Sequence, residues 1–527
     1  MLAAETCTCW ELHVSHFVKI VTKDLTLNHA LIKILSTASE ERLEEARQFG
    51  VLGLPMKVVT ERSDAGSDQD EEDDRDVEND DAFDLNMADS IEEGVDFGRI
   101  YHILQGRLAF VIHRDEAQTR LDILHRREIY FFSSDFHESY EAYCDDFGPV
   151  NLATVYSFCK MIKERLSDAR LSERLLCYYA EKDLALRTNA AFLLAAYLLL
   201  GEGFTPEDAV RPLEALGPCA FLPFRDATHV RPSTFHLTLL DCMKGLRRAV
   251  MTGWFDLANF DLHKYCNMDN PALFDMHQVC PKLVAFRGPD CRDKHLRQPA
   301  DFTGLFKRLG VTDVVRFNEV ETYDVKEFGK DGIAVHDMQF EDCTTPPSTI
   351  VDRFLELVDN AQGVVAVHCL AGLGRTGTLI SLWIMTRFGW SARECIAWLR
   401  VVRPGSVLGT QQHYLVACEA ALAAKQPLPE PDAMAADRAA RMARQVQVGM
   451  LKRRDRRRSS TSIEGGIRMD VLSIDDENPD RLAITKEEQE LIARFLEAGA
   501  KKDAERTLAA PPIASLSARS ISHNSVA

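Results

Sequence analysis

The chain has 527 residues, 46% hydrophobic and 27% charged, with a formal net charge of -19. That length suggests about three domains, and the composition supports a buried core, which excludes wholesale disorder, a collagen-like repeat and a membrane protein. The longest apolar run, Ala190–Leu200, has 11 residues, too few to cross a bilayer. The N-terminal stretch MLAAETCTCWELHVSH carries two acids and no basic segment, so it does not read as a secretory signal. The 14 cysteines include no Cys-x-x-Cys pair and read as reduced thiols in a reducing compartment.

In chain order, residues 1–61 form an N-terminal extension with a short helix expected around Ser39–Phe49. Residues 62–96 are acidic: between Asp64 and Glu93 lie 15 Asp/Glu and one Arg, a local net of -14, which leaves -19 + 14 = -5 for the rest. Such a self-repelling run without apolar periodicity reads as a disordered spacer. From Phe97 to Ala424 the chain is continuously patterned as strands, helices and short turns, divided at 97–234, 235–255 and 256–424. The middle piece, containing Phe235–Gly253, has helical periodicity and bridges the two flanking halves. A Pro-rich stretch, Gln426–Pro431, ends the patterned part, and 425–527 reads as a mostly disordered basic, Ser-rich tail. An amphipathic helix is expected within it at Lys486–Ala498. The tail's cluster Lys452–Arg458 suits nuclear import as well as plain solubility, and Ser459, Ser460, Thr461 and Ser462 beside it are sites where phosphate would cancel positive charge. No aromatics interleave with those basic residues, so no nucleic-acid partner is expected.

The two halves match each other. Leu176–Ala190, with the apolar helix through Leu200, lies over Val365–Thr378, with the helix through Met385. Arg187-Thr188 falls on Arg375-Thr376 at an offset of 188, which places Glu181 under Cys369, and Leu184 and Leu186 under Gly372 and Gly374. Each copy reads strand, loop, helix, the unit of a mainly parallel sheet flanked by helices. The expected fold is therefore α/β, with two related domains, the first having kept the scaffold and lost the loop.

The chemistry is concentrated in His368-Cys369-x5-Arg375-Thr376. Gly363–Val367 is a short β-branched run, read as a buried strand, and the chain from Thr376 onward is read as helix. Between them, the backbone N–H groups of Leu370, Ala371, Gly372, Leu373 and Gly374 can converge on one point at a helix N-terminus, where orphan donors and the dipole favour an anion. Arg375 can add a forked contact to two oxygens of that anion. A phosphate monoester fits. The same donors stabilise Cys369 as a thiolate, which can attack phosphorus and form a cysteinyl-phosphate. Thr376 Oγ can then hydrogen-bond the sulfur as it leaves. No Gly-Lys-Ser/Thr is present in the loop, so it is not a nucleotide P-loop.

A serine alkoxide leaves poorly, so a general acid is needed. Asp342, 27 residues before Cys369, sits in the Pro-braced stretch Phe340–Pro347 and suits an acid on a movable flap, with Glu341 as the alternative. Downstream, Arg403–Gln412 forms a second loop whose Gln411 and Gln412 can position the hydrolytic water.

The loop HCLAGLGRTGT at His368–Thr378, the acid loop and RPGSVLGTQQ at Arg403–Gln412 resemble the cell-division-cycle-fourteen type of dual-specificity protein phosphatase. Asp146–Ala153 and Pro223–Ala227 resemble that family's non-catalytic domain. The resemblance covers about Phe97 to Ala424. It implies tandem phosphatase-like domains joined by a linker helix, with only the second active. It implies dephosphorylation of proteins, with preference for phosphoserine before proline, in opposition to cyclin-dependent kinases. It also implies Cys369 as nucleophile, Arg375 as phosphate binder and Asp342 as general acid. Three positions depart from the family pattern. Leu370 stands where Lys is usual. Cys343 replaces the Gly after the acid, which stiffens the flap and brings a second thiol toward Cys369. The acidic stretch that reads a basic residue downstream of phosphoserine is here Asp261–Asp269, where His263, Lys264 and Cys266 weaken its charge.

The expected partners are phosphorylated proteins, with no membrane span and no metal or cofactor, and the expected location is the nucleus, the cytoplasm or both. Two rivals share the loop: a phosphoinositide phosphatase, whose loops place Lys where Leu370 and Leu373 stand, and a non-catalytic phosphoprotein-binding scaffold, which would not need Cys369.

Overall fold

The computed structural model describes residues 95–431 except 231–232 and 294–296, together with Val448. The two terminal helices expected from sequence lie outside these residues, as do the acidic spacer up to residue 94 and the basic tail apart from 425–431 and Val448.

The first half contains β1 (Tyr101–Leu104), β2 (Leu108–His113), α1 (Glu116–His125), β3 (Ile129–Phe132), α2 (Leu152–Ser167), β4 (Leu175–Glu181), α3 (Leu184–Leu200) and α4 (Pro206–Glu214). Two helices follow, α5 (Leu239–Met251) and α6 (Leu262–Asp269). The second half contains β5 (Met276–Gln278), β6 (Leu283–Arg287), α7 (Pro299–Leu309), β7 (Val311–Arg316), α8 (Lys326–Gly329), β8 (Ala334–Asp337) and α9 (Ser348–Asn360). It is completed by β9 (Val364–Cys369), α10 (Gly374–Phe388), α11 (Ala392–Val402) and α12 (Thr410–Ala424).

The sheets run β1-β2-β4-β3 and β5-β6-β9-β7-β8. Without β8 they are the same sheet: an antiparallel edge strand, then three parallel strands with β4 or β9 in the middle. The middle strands are mostly buried and open as apolar runs, Leu175–Ala180 in β4 and Val364–Val367 in β9, as parallel sheets require. β9 runs further than the expected Gly363–Val367, because Arg287 and Arg316 keep pairing it as far as Cys369 and His368. The helix after it begins at Gly374 rather than Thr376.

The copies diverge between strand and helix. β4 reaches α3 through two residues, Lys182 and Asp183, whereas β9 reaches α10 through the four residues Leu370–Leu373. In the first half the Asp183 carboxylate accepts the Leu186 N–H at 2.9 Å, so the helix N-terminus already holds an anion of its own. Thr188 Oγ accepts the Leu222 N–H, and Arg187 Nε donates to the Ala220 carbonyl. The place of a ligand is thus occupied by chain. α10 has no side-chain cap.

α5 bridges the halves. It starts at Leu239, later than the expected Phe235, because Leu237 still pairs with Phe224 as a β-bridge and Thr238 forms a capping box with Asp241. Leu239, Cys242, Met243, Leu246 and Ala249 form its buried stripe. At Gly245 it crosses α11 so closely that a Cβ would lie 2.8 Å from the Glu394 carbonyl oxygen. Arg248–Glu394 and Arg393–Asp241 ion pairs, each 3.0 Å, flank the crossing.

Candidate active site

β9 carries Cys369 to the carboxyl end of the second sheet, where α/β folds place their ligands. His368, just before it, is fully buried between Phe286 and Tyr323. Its Nδ1 lies 3.0 Å from the Cys369 carbonyl and its Nε2 2.8 Å from the Tyr323 hydroxyl. A carbonyl can only accept, so Nδ1 carries the proton and Nε2 accepts from the phenol. Burial pushes the imidazole pKa down to about 3, which keeps the ring neutral. It is a support for the loop rather than a proton carrier.

The Cys369 sulfur is buried and accepts the Gly372 N–H at 3.2 Å. Gly372 has φ +68, and a Cβ there would stand 2.0 Å from the Phe286 carbonyl oxygen, so only glycine can turn this amide onto the sulfur. Leu370 and Ala371 are partly exposed, whereas Leu373 and Gly374 are buried. The loop's shape is enforced from behind by Arg403. Its Nε donates to the Gly372 carbonyl at 2.8 Å and its Nη2 to the Ala371 carbonyl at 3.0 Å. With two carbonyls drawn outward, the amides of those peptides face the other way. Arg403 Nη1 continues to the Asp275 carbonyl and to His277 Nδ1, and His277 sits 3.0 Å from Asp269 at the end of α6.

Arg375, on the first turn of α10, is also buried. Its Nη1 donates to the carbonyls of Phe317 at 3.1 Å and Phe340 at 2.8 Å. Its Nε lies 3.0 Å from Asp342 Oδ1, an ion pair without the alignment of a hydrogen bond. Burial opposes the guanidinium charge, but Cys369 and Asp342 outweigh it and raise the pKa. Arg375 Nε and Thr376 Oγ are both buried polar atoms without a hydrogen-bond partner. Such orphans call for an explanation; here two occur on consecutive residues beside the sulfur, as expected of a cradle for an oxyanion. The Thr376 hydroxyl does not bond the sulfur in this state.

Asp342 lies on the segment between β8 and α9, with its carboxylate at Arg375, while Glu341 next to it is exposed. Cys343 is buried in the left-handed region at φ +56, a conformation natural to glycine and strained for cysteine. It packs with Leu373, Leu408 and two residues of the first half, Tyr143 and Ala227. Burial pushes its thiol pKa up, so it is a packing group.

The two glutamines part company. Gln411 Oε1 accepts the Leu408 N–H at 3.1 Å and its Nε2 donates to the Thr344 carbonyl of the flap at 2.9 Å. A Cβ on Gly374 would be 2.9 Å from that Oε1, so Gln411 adjoins the cysteine loop. Gln412 accepts from Arg400 Nη2 and donates to the Gly409 carbonyl; it braces its own loop and does not reach the site. Sequence reasoning left Arg403 and Arg400 without a role, although Arg403 opens the RPGSV stretch and Arg400 lies three residues before it.

Residues 102–249 match the family model of the N-terminal half of dual specificity protein phosphatases, and residues 302–420 match that of the dual specificity phosphatase catalytic domain. The chain is 38% identical over 325 residues to dual specificity protein phosphatase CDC14A of Mus musculus, a match covering 60% of this chain and 53% of that protein. It is 39% identical over 299 residues to CDC14B of Mus musculus, covering 56% and 61% respectively. To CDC14C of Homo sapiens it is 38% identical over 323 residues, covering 60% and 70%. The chain thus spans between half and three-fifths of the length of the two mouse relatives. With the duplicated sheets, the glycine-turned cysteine loop and these identities taken together, the chain belongs to the CDC14 family of dual specificity protein phosphatases.

Proposed function

We propose that this protein hydrolyses phosphoserine, phosphothreonine and phosphotyrosine in proteins through a cysteinyl-phosphate intermediate. The observation that carries the reading is the buried Cys369 sulfur held by the Gly372 amide beside the unsatisfied Arg375 Nε and Thr376 Oγ. The phosphoryl oxygens take up the loop amides and Arg375. The sulfur attacks phosphorus, the bond to the leaving oxygen breaks, and Asp342 supplies the proton to that oxygen. In the second step water attacks phosphorus, gives its proton to Asp342 and expels the thiolate; Gln411, beside both flap and loop, positions the water. In the resting site the Asp342 carboxylate is held over the loop by Arg375; when a phosphate monoester takes its place on the guanidinium, the released carboxylate takes up from solvent the proton it then donates.

The preferred substrates in this reading are phosphoserine-proline sites, and the role is the reversal of cyclin-dependent phosphorylation in the nucleus or cytoplasm. Lys264 donates to Gln278 Oε1 at 3.2 Å on the helix where the family carries acids, which weakens selection for downstream Lys or Arg. The apolar Leu370 and Leu373 favour a singly phosphorylated peptide over a phosphoinositide. The test is turnover of p-nitrophenyl phosphate, a phosphopeptide panel and a phosphoinositide by wild type, Cys369→Ser and Asp342→Asn. Cys369→Ser is expected to be inactive. Asp342→Asn should lose about 10²–10⁴ in kcat with a serine leaving group. Turnover by Cys369→Ser at the wild-type rate would refute the proposal.

A further inference from the structure

We infer that Asp226, in the half without the cysteine loop, is a positioning residue for hydrolysis of the phosphoenzyme, acting through Gly409 on Gln411. The inference rests on the two-step reaction proposed above. Asp226 is 5% exposed, and its Oδ2 accepts the Gly409 N–H at 2.7 Å. Gly409 precedes α12 at φ +51 and ψ -125, and α12 has no side-chain cap from its own flank. The carboxylate therefore comes from the other half to the start of this helix, where an anion is electrostatically favoured. Two residues on, Gln411 holds Leu408, touches the Gly374 turn and reaches Thr344 of the flap.

The segment carrying Asp226 is built to be stiff. Phe224 is fully buried, pairs with Leu237 and packs its ring against Phe147 and Phe192. Arg225 staples the turn with Nη2 bonds to the Thr228 carbonyl at 3.1 Å and the Val230 carbonyl at 2.7 Å, and pairs with Asp145. Ala227 enters the apolar cluster of Cys343, Leu373 and Leu408. An anchor, a staple, a carboxylate and a small packing residue follow one another in sequence, and the carboxylate, which also feels the charge of Arg400, ends its hydrogen bond into the second half on the loop that aims Gln411. A site gains precision when its supports are themselves locked.

The test is steady-state and rapid-mixing kinetics of the full chain with p-nitrophenyl phosphate. Because kcat/KM reports steps through phosphoenzyme formation, Asp226→Ala should lower kcat about tenfold and KM in parallel, leaving kcat/KM within twofold. A nitrophenol burst approaching one per active enzyme should appear. Asp226→Asn, which keeps an acceptor oxygen, should restore most of kcat. Gln411→Ala should show the same split, and the double variant should be no slower than Gln411→Ala. A fraction of unfolded enzyme lowers kcat without moving KM, so the fall in KM is diagnostic. The inference is overturned if Asp226→Ala lowers kcat and kcat/KM together, or if Gln411→Ala gives the split and Asp226→Ala does not. Turnover by Cys369→Ser would instead overturn the reaction itself.

Discussion

Arg403 offers a sharp test of how the cysteine loop is held. It is 2% exposed and spends two separate nitrogens on two successive carbonyls, those of Ala371 and Gly372. Arg403→Lys keeps the charge but replaces the planar fork with a single ammonium, which cannot reach both carbonyls and His277 at once. At least one charge-assisted bond is lost, about 1.5–3 kcal/mol. If that loss appears as misdirected loop amides, oxyanion binding weakens by about 10- to 150-fold at 1.36 kcal/mol per decade. The assay is the inhibition constant of inorganic phosphate, measured beside kcat/KM for p-nitrophenyl phosphate and the melting temperature. Both functional constants should worsen by similar factors. If the variant melts lower yet binds phosphate and turns over within twofold of wild type, Arg403 merely stabilises the fold and the reasoning about carbonyl orientation is wrong.

Two further outcomes follow from packing and burial. His368 has a folded pKa of about 3 against about 6.5 when unfolded, so the unfolded chain binds the extra proton between those values. Its stabilisation is complete above pH 6.5 and is lost as pH falls toward 3, about 3 kcal/mol of it by pH 4; denaturant titrations of wild type and His368→Gln should diverge over that window, and parallel curves would count against a buried neutral ring. Gly245→Ala sets a helix-propensity gain of about 1 kcal/mol against overpacking of about 1–3 kcal/mol. The added methyl meets backbone atoms of Glu394 and Trp398, which cannot rotate away, so the melting temperature should drop by a few degrees; a rise would show that α5 and α11 are free to separate.

The parts of the site legible in sequence were those whose residue types are chemically unusual together. A β-branched run, a cysteine, two glycines and an arginine in that order leave few alternatives, and the 188-residue offset between Arg187 and Arg375 anticipated two sheets of one design. Neighbouring glutamines were harder. On a helix Gln411 and Gln412 point about 100° apart, so only the known start of α12 decides which one meets the flap. Likewise Asp342 and Glu341 are neighbouring carboxyls on paper, and it is the backbone path of the flap that brings Asp342 to Arg375 and leaves Glu341 exposed. Arg403 and Asp226 were opaque for a different reason. Their partners, Gly372 and Gly409, are backbone groups far away in the chain, and a carbonyl or an amide leaves no mark in the residue alphabet.

Asp183 gives the first copy a built-in plug, since its carboxylate sits on the helix end that the second copy leaves open. A unit whose socket is sealed is released from keeping it clear, and its outer turns become available as masonry for its neighbour. Tyr143, Asp226 and Ala227 are such stones. A shortened protein made of the second unit alone would keep every reacting group and still lose one wall of the workshop.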